Sequence, residues 1–349
     1  MKEKITLLVT CAGGDLMPCA LIELIKSKIF RYRIIGVDSS GSVAARRHLD
    51  EFYQVPSGDD PKYIPTLLEV IKREKVDVVF PLSDDEAFAI SNNLDELKTY
   101  GTKAVVSPPE CLTLISDKLS TYQNVVHAGL NVPEYRAVRN VDELLEAIEQ
   151  YNYPSKTVVL KPKKGRGNRG LHILCGQDNP PVWLGSGKRE KRIEVIVKKR
   201  EQFASFMQAE TTLVMPCLGL PAYDADVLNY KDGEYAIYVR KRLNPTGIPF
   251  KGNILTVERS VIEYCRKVAK ILNLKALHDM DLMTKEDGSP VILEVNPRPS
   301  GSIASTLVSG YPVFDWAIAR VLNMEVQPYE PEADIEVSAL PGLFAFPKP

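Results

Sequence analysis

Two carboxylates and an amide stand at strand spacing around residue 290. The run Asp281-Leu-Met-Thr-Lys-Glu-Asp-Gly-Ser-Pro-Val-Ile-Leu-Glu294-Val-Asn296-Pro-Arg298 reads as a hairpin. Leu282–Thr284 suggest a strand end, Asp287-Gly288 is a strong turn signal, and Val291–Val295 is a second strand. Glu294 and Asn296 lie two apart and so share a face, and closure of the hairpin brings Asp281 near Glu294. Two carboxylates and one amide oxygen make a hard, oxygen-only site, which suits magnesium bridging nucleotide phosphates. Arg298 follows directly and can fork onto a pair of phosphate oxygens. The plain alternative is an edge hairpin with solvated acids.

A second stretch with chemical potential is Lys161-Pro-Lys-Lys-Gly165-Arg-Gly167-Asn-Arg-Gly170, set between two strand-like runs. Glycines let a backbone approach phosphate oxygens, and free N–H groups can cradle them. Lys161, at the strand end, is placed to reach a phosphate. No Gly-Lys-Ser/Thr follows, so this is not a Walker loop. Alone, it reads equally well as a solvated basic hairpin. A third candidate is Arg240-Lys241-Arg242 at a strand end before Asn244-Pro-Thr-Gly247. One or two of these cations would face a phosphate or a substrate carboxylate, unless the run is a simple strand-end charge cluster. Lys251 is a weaker candidate of the same kind. The histidines share no spacing suggestive of a ligand set, and only His278, close to Asp281, merits a test.

These residues need elements to hold them. Residues 1 to 115 alternate strand and helix: Ile5–Thr10, Arg33–Asp38, Asp77–Pro81 and Lys103–Ser107 are strand-like. That alternation predicts a doubly wound parallel sheet with a crevice at its strand ends, near Asp38, Ser83, Asp84, Asp85 and Glu86. The Gly13-Gly14 turn lacks the spaced glycines of a dinucleotide fingerprint. Ser116 or Asp117 caps a helix ending at Gly129, and Val141–Gln150 is amphipathic. From Asp178 to about Lys191 the chain is rich in Pro, Gly, Ser and Lys, as expected of a mobile loop. Beyond Pro216 a hairpin forms about Lys231-Asp232-Gly233, and long helices are expected over Val257–Leu272 and Tyr311–Leu322.

Composition sets outer bounds. The 349 residues are 44% hydrophobic and 26% charged with a net charge of −1, ordinary values for a globular chain. Nothing global argues for nucleic acid or an anionic membrane. No apolar run reaches the roughly 18 residues of a membrane helix. The N-terminus does not read as a signal peptide. Six scattered cysteines without CxxC spacing suggest reduced thiols and a cytoplasmic protein.

The ordered set Lys118, Lys161, the glycine loop, Asp281, Glu294, Asn296 and Arg298 resembles the ATP-grasp superfamily, and the resemblance covers roughly residues 1 to 325. The run Ile292–Pro312 looks like the carbamoyl phosphate synthetase large-subunit branch, present here as a single unit. The resemblance implies an α/β ATP-grasp fold: a Rossmann-like pre-ATP-grasp domain at 1–115, a small α+β lid at 116–213, a larger α+β catalytic lobe at 214–327 and a C-terminal extension at 328–349. It implies ATP with Mg2+ as cofactors, Mn2+ being an admissible substitute. Lys118, Lys161, Gly165, Gly167 and Gly170 would meet the phosphates, and Asp281, Glu294 and Asn296 the metal. Arg298, with Arg240 or Lys241, would neutralise developing charge. The interlobe hinge that reads adenine falls at Val214-Met215-Pro216-Cys217-Leu218, with Met215 where the family often has Glu. Backbone groups of Met215 and Leu218 would pair with adenine and the Met215 side chain would pack on the ring. The ribose carboxylate falls at Ala222, leaving Asp224 or Asp226 to serve. Gly301 stands where the carbamoyl phosphate branch has a second arginine, which leaves room for a substrate larger than bicarbonate.

The reaction so implied is ligation of a small carboxylate to an amine through an acyl phosphate, with an amino acid among the substrates and release of ADP and phosphate. Homodimers are common in the family. The alternatives are a carbamoyl-phosphate-type kinase acting on bicarbonate, and a nucleotide-binding regulatory protein without turnover.

Overall fold

The computed structural model describes residues 3–165, 170–178, 193–195, 200–207, 210–243 and 252–338. Three sheets carry the chain. Gly167, Lys251 and most of the expected loop at 178–191 lie outside the described residues.

The first sheet is parallel and is ordered β3-β2-β1-β4-β5, with β1 Glu3–Val9, β2 Phe30–Asp38, β3 Glu51–Gln54, β4 Val78–Phe80 and β5 Lys103–Ala104. Leu7, Leu8, Ile34, Ile35, Val78 and Val79 are all buried, as strands covered by helices on both faces require. The order reverses between β1 and β4, so the crevice forms beyond Val9 and Phe80. The helix Asp84–Ser91 starts there with three acids in its first turn, at the positive end of its dipole.

The second sheet contains β6 Arg136–Val138, β7 Val158–Pro162, β8 His172–Leu174, β9 Ile193–Val195 and β10 Thr212–Pro216, ordered β6-β10-β7-β8-β9. The helix Lys118–His127 precedes it. Asp117 caps that helix, accepting from the N–H groups of Leu119 (3.0 Å) and Ser120 (3.2 Å).

The third sheet is antiparallel, ordered β15-β14-β11-β12-β13-β16: β11 Gly219–Lys231, β12 Glu234–Arg242, β13 Asn253–Thr256, β14 Leu277–Thr284, β15 Pro290–Asn296 and β16 Ile335–Val337. Gly288, at φ +79, occupies the left-handed position of the β14–β15 turn. The helix Arg259–Ile271 lays Val261, Cys265, Val268 and Ala269 in the core against this sheet. Each of the two buried valines contributes about 1.5–3 kcal/mol. This packing leaves the other face of the sheet free to be polar. The tail returns through β16, which adds an edge strand beside β13.

Candidate functional site

Alternation along four neighbouring strands builds the site. Asp224 on β11 is opposed to Arg240 on β12 and to Asp281 on β14; Asp226 is opposed to Asp279; Asp279 is opposed to Asn296 and Asp281 to Glu294 on β15. Same-face spacing of two therefore gathers Asp224, Asp226, Arg240, Arg242, Asp279, Asp281, Glu294 and Asn296 on one surface. Asp281, Glu294 and Asn296 come together as the hairpin predicts.

Lys118 joins this surface to the glycine loop. Its Nζ donates to the Gly165 carbonyl (3.2 Å) and pairs with Glu294 Oε2 (3.2 Å). The Lys118 N–H donates to the Lys163 carbonyl, and Lys163 Nζ pairs with Asp117 Oδ2 at 3.1 Å. The start of the loop is thus pinned to the head of the helix Lys118–His127. Burial alone would raise the Glu294 carboxyl, but Lys118 and Lys161 outweigh it and hold the group below its ordinary value. Gly170 has φ +74, and a Cβ there would meet Pro162 Cγ at 3.2 Å.

Arg298 reaches the other way. Its Nε lies 2.9 Å from Asp84 Oδ1, and its Nη1 lies 3.8 Å from Asp279 Oδ2 and donates to the Pro299 carbonyl. In the crevice beyond β1 and β4, Glu86 Oε2 accepts from Thr10 Oγ1 (2.5 Å) and Ser83 Oγ (2.6 Å), and Asp38 accepts from the Gly13 N–H at 2.7 Å.

Several expectations need correction. Lys241 is on the opposite face: it is opposed to Tyr223 and pairs with Glu258 at 3.2 Å. Period-two alternation makes Arg240 and Arg242 neighbours on the polar face and excludes the residue between them. Arg240 has no exposed surface and pairs with Asp226 at 2.7 Å beneath Ser302, so no substrate reaches it. The Met215 side chain, 2% exposed, is committed to the apolar core and does not present itself to a ring. Leu218 follows β10, partly exposed. Asp224 bonds to Arg242 among the acids. Asp226 is the partner of Arg240 and Thr306.

Asp279 escaped the sequence reading, and Arg242 entered it only as one of three strand-end cations. Arg242 Nε donates to Asp224 Oδ2 at 2.9 Å, and its Nη2 binds both Asp224 and Asp281. Asn296 Nδ2 donates to Asp279 Oδ2 at 2.9 Å. Burial, reinforced by Asp281 and Asp224, raises the Asp279 carboxyl far above its ordinary range. Burial also raises Asp224, against the pull of Arg242. Extending β14 back from Asp281 by one same-face step would have found Asp279.

Comparison with known proteins agrees with this fold. The family model described as "ATP-grasp in the biosynthetic pathway with Ter operon" matches residues 208–342, and that of the "PylC-like, N-terminal domain" matches residues 7–105. The carbamoyl phosphate synthase large chain of Thermotoga neapolitana is 23% identical over 310 residues, covering 84% of this chain and 26% of that protein. The chain thus spans about a quarter of the length of such relatives. The structure of N5-carboxyaminoimidazole synthetase from Staphylococcus aureus complexed with ADP superposes with TM-score 0.67 at 15% identity, covering 96% of this chain and 80% of that one. The L-amino acid ligase of Bacillus licheniformis gives TM-score 0.61 at 14% identity, with 95% and 76% covered. With its parallel-sheet N-terminal part, its mixed second sheet, its antiparallel third sheet and these matches, the chain has the ATP-grasp fold, and its residues 208–342 match an ATP-grasp family model.

Proposed function

We propose that the protein is an ATP-dependent ligase joining a small carboxylate, such as an amino acid, to an amine. The observation that carries this is Lys118 Nζ, at 3.2 Å from both the Gly165 carbonyl and Glu294 Oε2. One ammonium touches the loop that would cover phosphates and the acid that would hold their metal.

The donor set fits a hard divalent ion. Asp281 and Glu294 offer carboxylate oxygens, and the Asn296 amide nitrogen is engaged with Asp279, which leaves its oxygen as the acceptor. Mg2+ there would neutralise charge between the β- and γ-phosphates. Lys118, Lys161 and the N–H groups around Gly165 and Gly170 would hold the phosphates. Arg298, fixed by Asp84, would face the γ-phosphate on the crevice side, where the carboxylate would lie. A carboxylate oxygen attacks the γ-phosphorus and ADP leaves. The amine nitrogen then adds to the acyl carbon, loses a proton, and phosphate departs. The protein's work is placement and charge neutralisation.

Gly301 bears on the substrate. It is exposed, and a Cβ built there meets nothing within 4 Å. That space favours a carboxylate larger than bicarbonate. The test is release of ADP and phosphate from Mg-ATP with pooled amino acids and carboxylic acids, with mass analysis of products. A condensation mass that requires both partners and is lost in Glu294→Ala supports the reading. Release driven by bicarbonate alone, or ATP binding without turnover in any pool, counts against it.

A further inference from the structure

Asp224, Asp279 and Asp281 each offer an oxygen, and these lie within 4.8 Å of one another. Register explains the cluster: Asp224 is opposed to Asp281, and Asp279 is the next same-face residue on β14. Acids alone often form a salt-bridged face. Two further observations set this group apart. Asp279 is 3% exposed, and its Oδ1 has no hydrogen-bond partner. Arg240 Nη2 stands 3.7 Å from that oxygen, outside hydrogen-bond distance, while Asn296 takes the other oxygen. A buried carboxylate oxygen without a donor is costly, and a cation is what would satisfy it. The second observation is that a cationic group already lies among the acids: the Arg242 guanidinium bonds to Asp224 and Asp281. Its side chain is 26% exposed, so it stands at the rim and can withdraw.

We propose that Asp224, Asp279 and Asp281 form a divalent-cation site that Arg242 keeps charge-balanced until an ion displaces it. Three carboxylates suit Mg2+, Mn2+ or Ca2+. A guanidinium and a divalent ion on the same two carboxylates repel each other, which favours exchange of one for the other. Ion entry is thereby coupled to withdrawal of Arg242, and Asp279 Oδ1 gains a close ligand. The site shares Asp281 with the nucleotide-metal set proposed above and rests on that reading only there.

The test is a titration with Mn2+ alone, without nucleotide, followed by electron paramagnetic resonance. Arg242→Met should raise Mn2+ affinity by about tenfold. Asp279→Asn in that background should remove the gain, and Glu294→Gln should leave it. An unchanged affinity in Arg242→Met, or a gain abolished by Glu294→Gln and kept in Asp279→Asn, overturns the proposal. Should Arg242→Met not fold, the single variants decide: Asp279→Asn must weaken Mn2+ more than Glu294→Gln, and the reverse order overturns it. Calorimetry with Mg-ATP runs in parallel on the native chain. Absence of nucleotide binding there sinks the ligase reading and leaves the order of the Mn2+ variants unaffected.

Discussion

Arg298 Nε stands 2.9 Å from Asp84 Oδ1, so the arginine two residues beyond β15 is tied to the first turn of a helix on the parallel sheet. Both side chains are largely covered, at 19% and 9% exposure. The pair fixes how the crevice meets the acid-rich sheet and aims the guanidinium. Asp84→Asn keeps the shape and removes the charge. It should lower unfolding free energy in urea by about 1–3 kcal/mol, the range for leaving a covered polar group without its partner. In turnover with an identified substrate, kcat should fall while KM for ATP changes little. Native stability and native kinetics in Asp84→Asn would show that the contact positions nothing.

Arg240 and Asp226 form a fully buried pair, both at 0% exposure, with Thr306 Oγ1 donating to Asp226 Oδ2 at 2.5 Å. Burial raises the Asp226 carboxyl, and Arg240 opposes this. Arg240→Met leaves a carboxylate unpaired in the interior and should cost about 3–5 kcal/mol. The double change Arg240→Met with Asp226→Leu should recover most of that loss. Additive losses in denaturant titrations would contradict this account.

Lys241 and Arg242 separate the two faces of β12. Lys241, paired with Glu258, is 38% exposed on the far face. Exposed pairs of this kind contribute at most about 1 kcal/mol. Lys241→Ala should therefore leave Mg-ATP affinity within about twofold of native, since 1.4 kcal/mol corresponds to tenfold. Arg242→Ala should change that affinity measurably. Calorimetric titration of both variants checks the contrast, and the opposite ranking would return Lys241 to the site.

Local patterns made the hairpin, the cap at Asp117 and most of the strands of the parallel sheet legible, because turn chemistry and period-two alternation act over a few residues. Asp279 was missed because the reading began the strand at Leu282, whereas β14 starts at Leu277. Arg240 and Lys241 were placed by charge, although alternation alone would have split them. The contacts from Arg298 to Asp84 and from Lys118 to Glu294 could not be read at all. They depend on how three sheets pack, which no local spacing encodes. Gly301 was legible as a departure, and only packing shows the space beside it to be open.

His278 links the acid-rich sheet to the edge of the parallel one. It is fully buried, with Nδ1 2.8 Å from the Asn296 carbonyl and Nε2 2.7 Å from Ser107 Oγ. A carbonyl only accepts, so Nδ1 carries the proton. Burial lowers the imidazole from 6.5 to about 4. The unfolded chain takes up a proton near 6.5 and the folded one only near 4. Between these values the unfolded state binds more protons, so stability rises with pH. The contribution is complete above about 6.5 and is lost as pH falls toward 4, by roughly 3 kcal/mol. His278→Gln should flatten the pH dependence of urea unfolding in that window. An unchanged slope would mean that another group titrates there.

Gly301→Arg restores a guanidinium where the carbamoyl phosphate branch has one. Beyond its own chain neighbours, no atom lies within 4 Å of a Cβ built at this position, and the residue is exposed, so the side chain has room. Stability should change by less than about 0.5 kcal/mol, as for other surface substitutions away from special features. Activity should not be spared. If the open space admits a substrate side chain, arginine occupies it and supplies a fixed positive charge. KM for the carboxylate should then rise while nucleotide affinity stays native. Any bicarbonate-dependent ADP release should rise from background. A variant that keeps native KM for its carboxylate would place the substrate elsewhere, on the crevice side of Arg298 alone.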